Sequence, residues 1–150
     1  MLNEKFKEII DFAIEREKEA VQFYNDLQNM VKFEPYKEVL IEFEDMEKSH
    51  IRVLHEIQKG EFSAEKLPKI ESLAYADYIV EKEPNPDMNF QDIITIAMKR
   101  EDKAQKLYLE LANKSSDESV RNLFLRLANE EAKHKLHFEK IFDDEVLKEN

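Results

Sequence analysis

Residues 39–50 read VLIEFEDMEKSH, and residues 123–134 read LFLRLANEEAKH. Each stretch ends in Glu-x-x-His: Glu47 with His50 in the first, Glu131 with His134 in the second. A spacing of three puts the acid and the imidazole on one face of a helix, a turn apart. The apolar residues around them recur at helical steps. In the first they are Val39, Leu40, Phe43, Met46, Ile51, Leu54 and Ile57; in the second, Leu123, Phe124, Leu127, Phe138 and Ile141.

The two stretches are one pattern written twice, 84 positions apart. The same offset, without a gap, lays Phe6 on Phe90, Ile10 on Ile94, Ala13 on Ala97, Ala20 on Ala104 and Leu27 on Leu111. It also lays Glu17 on Glu101 and Tyr24 on Tyr108. Generic helix composition accounts for apolar matches. It rarely supplies every Glu, Tyr and His of one pattern as well.

Four helices follow from the periodicity, over about 3–31, 35–59, 88–113 and 117–147. Pro35 suits a first helical turn, and Gly60 suits a C-terminal cap. The fourth helix starts after Ser115-Ser116-Asp117-Glu118, where Ser115 and Glu118 have capping-box spacing. The connections near Phe33 and Ser115 are short, as in antiparallel helical hairpins, whereas residues 60–87 form a long crossover with a short helix expected around Ile70–Val80. The fold class is therefore all-α: a ferritin-like antiparallel four-helix bundle of two hairpins, one domain over residues 1–150.

Composition agrees. The chain has 1 Gly and 4 Pro among 150 residues, too few for a turn-rich sheet protein. Charged residues make up 38% and hydrophobic residues 42%, a balance suited to amphipathic helices. A net charge of −11 argues against nucleic acid, whose phosphates call for basic patches. The absence of cysteine excludes disulfides, a thiolate nucleophile and thiolate-held zinc or iron–sulfur sites. The charged N-terminus is unlike a signal peptide, and no stretch resembles a membrane span, so a soluble cytoplasmic protein is expected.

Depth along the bundle brings the acids to one level. Glu17 lies about 16 residues before the first turn and Glu47 about 14 after it, roughly 20–25 Å from the same end at 1.5 Å per residue. Glu101 and Glu131 have the same separation of 30 residues as Glu17 and Glu47. Four carboxylates meeting in an apolar interior need cations or protons to compensate them. Two metal ions do this, with Glu17, Glu47, Glu101 and Glu131 as carboxylate ligands and His50 and His134 holding one ion each. Carboxylate-rich ligation favours iron or manganese, so the expected cofactor is two iron ions, with manganese or a mixed pair as the variant. Tyr24 and Tyr108 sit seven residues beyond Glu17 and Glu101. They read equally well as donors to carboxylate ligands and as ordinary core tyrosines. Glu44, His137, His55 and Glu130 lie near the motifs but are expected on solvated edges or facing elsewhere.

At these residues the sequence resembles the rubrerythrin branch of the ferritin-like superfamily, over nearly the whole chain. The resemblance implies a non-haem di-iron site reacting with peroxide or dioxygen, ligated by Glu17, Glu47, His50, Glu101, Glu131 and His134, in a homodimer. Two features depart from the family pattern. Full-length rubrerythrins carry a cysteine-ligated rubredoxin domain, so the resemblance implies a separate redox partner protein here. They also carry a second Glu one turn after the third-helix ligand, where this chain has Ala104. The implied site is more symmetric, closer to the bacterioferritin ligand set. Little chain follows the fourth helix, which disfavours the fifth helix of iron-storage cages. The expected activity is that of a di-iron oxidoreductase, reducing peroxide or dioxygen or oxidising ferrous iron. An iron buffer without turnover and a metal-free structural bundle are the alternatives.

Overall fold

The computed structural model describes residues 4–81, 84, 85 and 87–149, with side chains through residue 145. Four α-helices carry the described chain: α1 (Glu4–Met30), α2 (Glu34–Gln58), α3 (Phe90–Asn113) and α4 (Glu118–Glu149). No strand occurs among the described residues. The helix bounds fall within about two residues of those read from the sequence, Asn3 lying outside the described residues. The chain divides into two compact units, residues 1–73 and 74–150.

In the first unit α1 packs on α2 through the buried Phe6, Ile9, Ile10, Ala13, Ile14, Phe23, Tyr24 and Leu27 of α1 and the Leu40, Leu54 and Ile57 of α2. The turn between them is three residues, 31–33. Val31 folds back, its amide donating to the Leu27 carbonyl at 3.1 Å, and the Phe33 carbonyl accepts from the Tyr36 and Lys37 amides. Phe33, the N-cap, offers no side-chain acceptor, but Pro35 in the first turn removes one amide that would need satisfying. At the far end Gly60 has φ +98°, and the Glu61 amide donates to the Glu56 carbonyl while the Gly60 amide donates to Ile57. This is a Schellman ending, and its left-handed residue is the chain's single glycine.

Between the hairpins the short helix expected around 70–80 is a single 3-10 turn, Tyr75–Tyr78, and a second 3-10 turn, Ala64–Lys66, precedes it. Pro68 within the segment supplies no amide for a longer helix. Lys82, Glu83 and Pro86 of the crossover lie outside the described residues.

In the second unit α3 opens on a capping box: the Asn89 side chain accepts from the Asp92 amide at 2.8 Å, and the Asp92 carboxylate accepts from the Asn89 amide at 3.3 Å. An Asn89→Ala variant is expected to lose about 1 kcal/mol, measured as a lower urea midpoint with an unchanged slope. The second 3-10 turn packs on α3, where burial and then the charges of Glu110 and Asp77 push the Tyr78 phenol up. The expected Ser115–Glu118 capping box is corrected. The helix begins at Glu118, so the cap is Asp117, whose carboxylate accepts from the Val120 amide at 3.0 Å. The buried Ser115 hydroxyl instead donates back to the Leu111 carbonyl at 2.7 Å, closing α3. Against α3, α4 buries Val120, Phe124, Leu127, Ala128, Phe138 and Ile141. Among the described residues no helix is long and apolar enough to cross a membrane.

Candidate metal centre

The buried face of α2 runs Leu40, Glu44, Glu47, His50, Leu54, Ile57, in steps of four and three. Its two ends are hydrocarbon and its middle is polar. Glu47 and His50 are each 1% exposed, and Glu17 reaches them from the middle of α1 at 2%. His50 Nδ1 lies 3.3 Å from Glu17 Oε2 and 3.8 Å from Glu47 Oε1. One ligand atom from each of the three falls within 4.8 Å of the others.

The second hairpin builds the same arrangement. Glu101 comes from α3, Glu131 and His134 from α4, and all three are buried. His134 Nδ1 lies 3.6 Å from Glu101 Oε2, the same pair of atoms as in the first hairpin. Again one ligand atom from each lies within 4.8 Å of the others. Each hairpin thus brings together the three ligand residues that the sequence assigned to it.

The donor sets fit a transition metal. Bonds of about 2.0–2.2 Å to one ion place its donors roughly 3–4.4 Å from each other, a range that contains the imidazole–carboxylate separations of 3.3, 3.6 and 3.8 Å. Each set is two carboxylates and one imidazole without sulfur, the chemistry of iron or manganese rather than of copper or structural zinc. The electrostatics point the same way. Two carboxylates whose oxygens approach within 4.8 Å repel by about 3 kcal/mol at an effective dielectric near 20, and a cation between them reverses the sign.

Tyr24 and Tyr108 are both 1% exposed, at matching positions in their hairpins. Tyr24 makes edge contacts with Phe23 and Phe43, with centroids 5.8 and 5.9 Å away, while Tyr108 stacks on Phe124 at 6.5 Å. Both rings are packed against aromatic neighbours of their own hairpin.

Glu44 differs from its expected place on a solvated edge. It is 8% exposed, accepting from Gln28 Nε2 at 3.4 Å and from Lys48 Nζ at 3.1 Å. The signal for it was present: Glu44 continues the buried stripe from Leu40 to Glu47, but a stripe traced through apolar residues alone skips it. Burial alone would raise its carboxyl, but hydrogen bonds from Lys48, Asn25 and Gln28 and the Lys48 charge bring the net result below its ordinary 4.5. A carboxyl lowered by folding stabilises above its unfolded value and loses that contribution as pH falls. The stability difference between wild type and Glu44→Gln is therefore expected in full at neutral pH and to shrink below about pH 4.5, read from urea midpoints across pH. The other neighbours lie off the buried sets. His55 faces Gln58 at 3.2 Å, Glu130 faces Arg126 at 3.9 Å, and His137 is half-buried.

A helical chain with a buried Glu–Glu–His set in each of two repeated hairpins defines the class of ferritin-like carboxylate proteins. The comparisons agree. The chain matches the rubrerythrin family model over residues 8–142, a span that includes all six ligand candidates, and it belongs to that family. Among solved structures it is similar to a Thermotoga maritima protein provisionally described as a ferritin-like diiron-carboxylate protein, with a TM-score of 0.78 and 21% identity, covering 97% of this chain and 99% of that one. It is also similar to a hypothetical protein from Pyrococcus furiosus, with a TM-score of 0.70 and 24% identity, over 90% of this chain and 86% of that one. These likenesses establish the ferritin-like four-helix fold. No curated protein sequence matches the chain.

Proposed function

We propose that the two Glu–Glu–His sets join, within one domain over residues 1–150, into a di-iron centre that reduces peroxide or dioxygen or oxidises ferrous iron. The observation that carries this is the repeated geometry: two hairpins, 84 residues apart in register, each with a buried imidazole nitrogen 3.3–3.6 Å from a buried carboxylate oxygen. Membership of the rubrerythrin family and the diiron-carboxylate description of the Thermotoga maritima protein support it.

Glu17, Glu47 and His50 would hold one iron, and Glu101, Glu131 and His134 the other. When bound, the iron pair supplies redox equivalents and Lewis acidity. The chain's own part is to present acceptor atoms at fixed spacing, to offset positive charge with four carboxylates, and to exclude bulk water by hydrocarbon above and below the polar band. In this reading a separate redox partner protein supplies the electrons. The same reading places the protein in the cytoplasm as a homodimer.

Anaerobic iron-loaded, reduced protein mixed with peroxide and, separately, with dioxygen is expected to convert to the ferric form, followed by Mössbauer or optical spectroscopy. Iron that stays ferrous with both overturns the oxidoreductase. The buffer reading keeps one specific point in its favour, the absence of the extra carboxylate at Ala104. Sustained turnover with a reductant rejects it.

A further inference from the structure

The two hairpins share their ligands but not the surface behind them. On the α3/α4 side, Thr95, Met98, Lys99, Asp102, Lys103 and Lys135 line an open groove of about 320 Å³. Its charged residues are three lysines against one aspartate. The positions 84 residues earlier, behind the first ligand set, carry Asp11, Glu15, Lys18, Glu19 and Ile51 opposite Thr95, Lys99, Asp102, Lys103 and Lys135. There the balance is three acids against one lysine, with Glu15 paired to Lys18 and Glu19 to Arg16. The repeat preserves every ligand and inverts the charge of the face beside it, in a chain whose net charge is −11.

The basic face is built around Asp102. Its carboxylate accepts from Lys135 Nζ at 3.0 Å across the two helices and pairs with Lys106 Nζ at 2.8 Å along α3. One carboxylate thus anchors two ammonium groups, one from each helix. Among the described residues no ion pair to Lys99 or Lys103 is found, which leaves two uncompensated ammonium groups one turn apart on α3. The location ties the face to the centre. Asp102 follows the ligand candidate Glu101, and Lys135 follows His134. The groove therefore covers the outside of the two helices that hold one ligand set, about one helix thickness, roughly 10 Å, from it.

We propose that this face is the docking surface for an acidic one-electron carrier protein. The inference rests on the di-iron reading for its purpose and on the charge inversion for its place. The groove is shallow and open, and its charges are long exposed or half-exposed lysines. That suits steering of a protein surface, where complementary fields raise association rates, better than capture of a small anion, which calls for convergent buried donors. Each docking event moves one electron. The carrier's reduced centre would be oxidised by one equivalent and an iron held by the ligand set would be reduced by one, with no bond made or broken. The first hairpin's corresponding face, with its excess of acids, disfavours the same partner.

The test is a binding titration of metal-free protein with a strongly acidic ferredoxin at low salt, with Lys99→Glu/Lys103→Glu beside the mirror variant Glu15→Lys/Glu19→Lys. Binding by wild type that weakens about tenfold or more in the lysine variant, weakens with added salt and does not weaken in the mirror variant is the expected result. Affinities within twofold of each other, or self-association of the chain in place of ferredoxin binding, overturn the proposal. Circular dichroism checks the fold, and Lys99→Gln/Lys103→Gln replaces the reversal if it unfolds. On iron-loaded protein, reduction by the ferredoxin should slow in the lysine variant while reduction by dithionite is unchanged. Because the titration uses metal-free protein, it reads the surface alone. Iron that fails to react with peroxide and dioxygen in wild type would count against the di-iron reading instead.

Discussion

Glu47→Gln/Glu131→Gln protein is expected to melt above wild type when both are stripped of metal, and below wild type when both are saturated with ferrous iron. The reversal follows from the same geometry. In each hairpin a buried pair of carboxylates sits with oxygens within 4.8 Å, so neutralising one partner removes a repulsion of about 3 kcal/mol and a desolvation cost of comparable size. A glutamine keeps the volume of the side chain, so no cavity offsets the gain. With metal present the balance changes. The variant loses an anionic ligand from each set and with it the stabilisation that binding confers on the folded state. Shifts of about 10–20 °C in each direction are expected for a chain of this length with two such sets, measured by calorimetry with and without chelator. A purely structural bundle would give the first shift without the second. An upward shift in both conditions, with no iron retained by wild type, would remove the metal centre altogether.

Phe124→Ala is expected to be among the most damaging core substitutions outside the ligand sets. Phe124 is fully buried in α4, and its ring lies nearly parallel to Tyr108, at 15°. Truncation removes the ring and leaves a cavity between α3 and α4, a loss of about 3–5 kcal/mol. That corresponds to a fall in melting temperature on the order of 10 °C. The matching position in the first hairpin is Leu40, and there Tyr24 has Phe43 as its aromatic neighbour instead. A Phe124→Leu variant, which imports the first hairpin's solution, should recover most of the loss. Urea unfolding of the two variants decides it.

The helices and the six ligand candidates were legible in the sequence because both depend on local spacing. Glu-x-x-His fixes two donors on one face whatever the rest of the chain does, and the 84-residue register supplied the pairing between helices. Features that depend on which of several neighbouring groups wins a hydrogen bond were less legible. Ser115 and Asp117 both lie before α4, and the helix start decided in favour of Asp117, leaving Ser115 to finish α3. Glu44 was misplaced for a related reason. A carboxylate in a buried stripe breaks the apolar pattern, and its rescue by Gln28 and Lys48 is a tertiary fact, since Gln28 comes from the other helix. The crossover was harder still, because short 3-10 turns leave no periodicity to read.

The ligand candidates stand far from the ends of their helices. Glu17 is midway along α1, 13 residues from Glu4 and 13 from Met30. Glu47, Glu101 and Glu131 are likewise at least 11 residues from either end of theirs. Fraying releases a turn or two, about 5–10 Å of helix, and never reaches them. Exchange of an ion bound there would therefore not be triggered by fraying at either end. For an ion held there, fraying of the helix ends is not an exit route, so its loss would depend on motion in the middle of the helices.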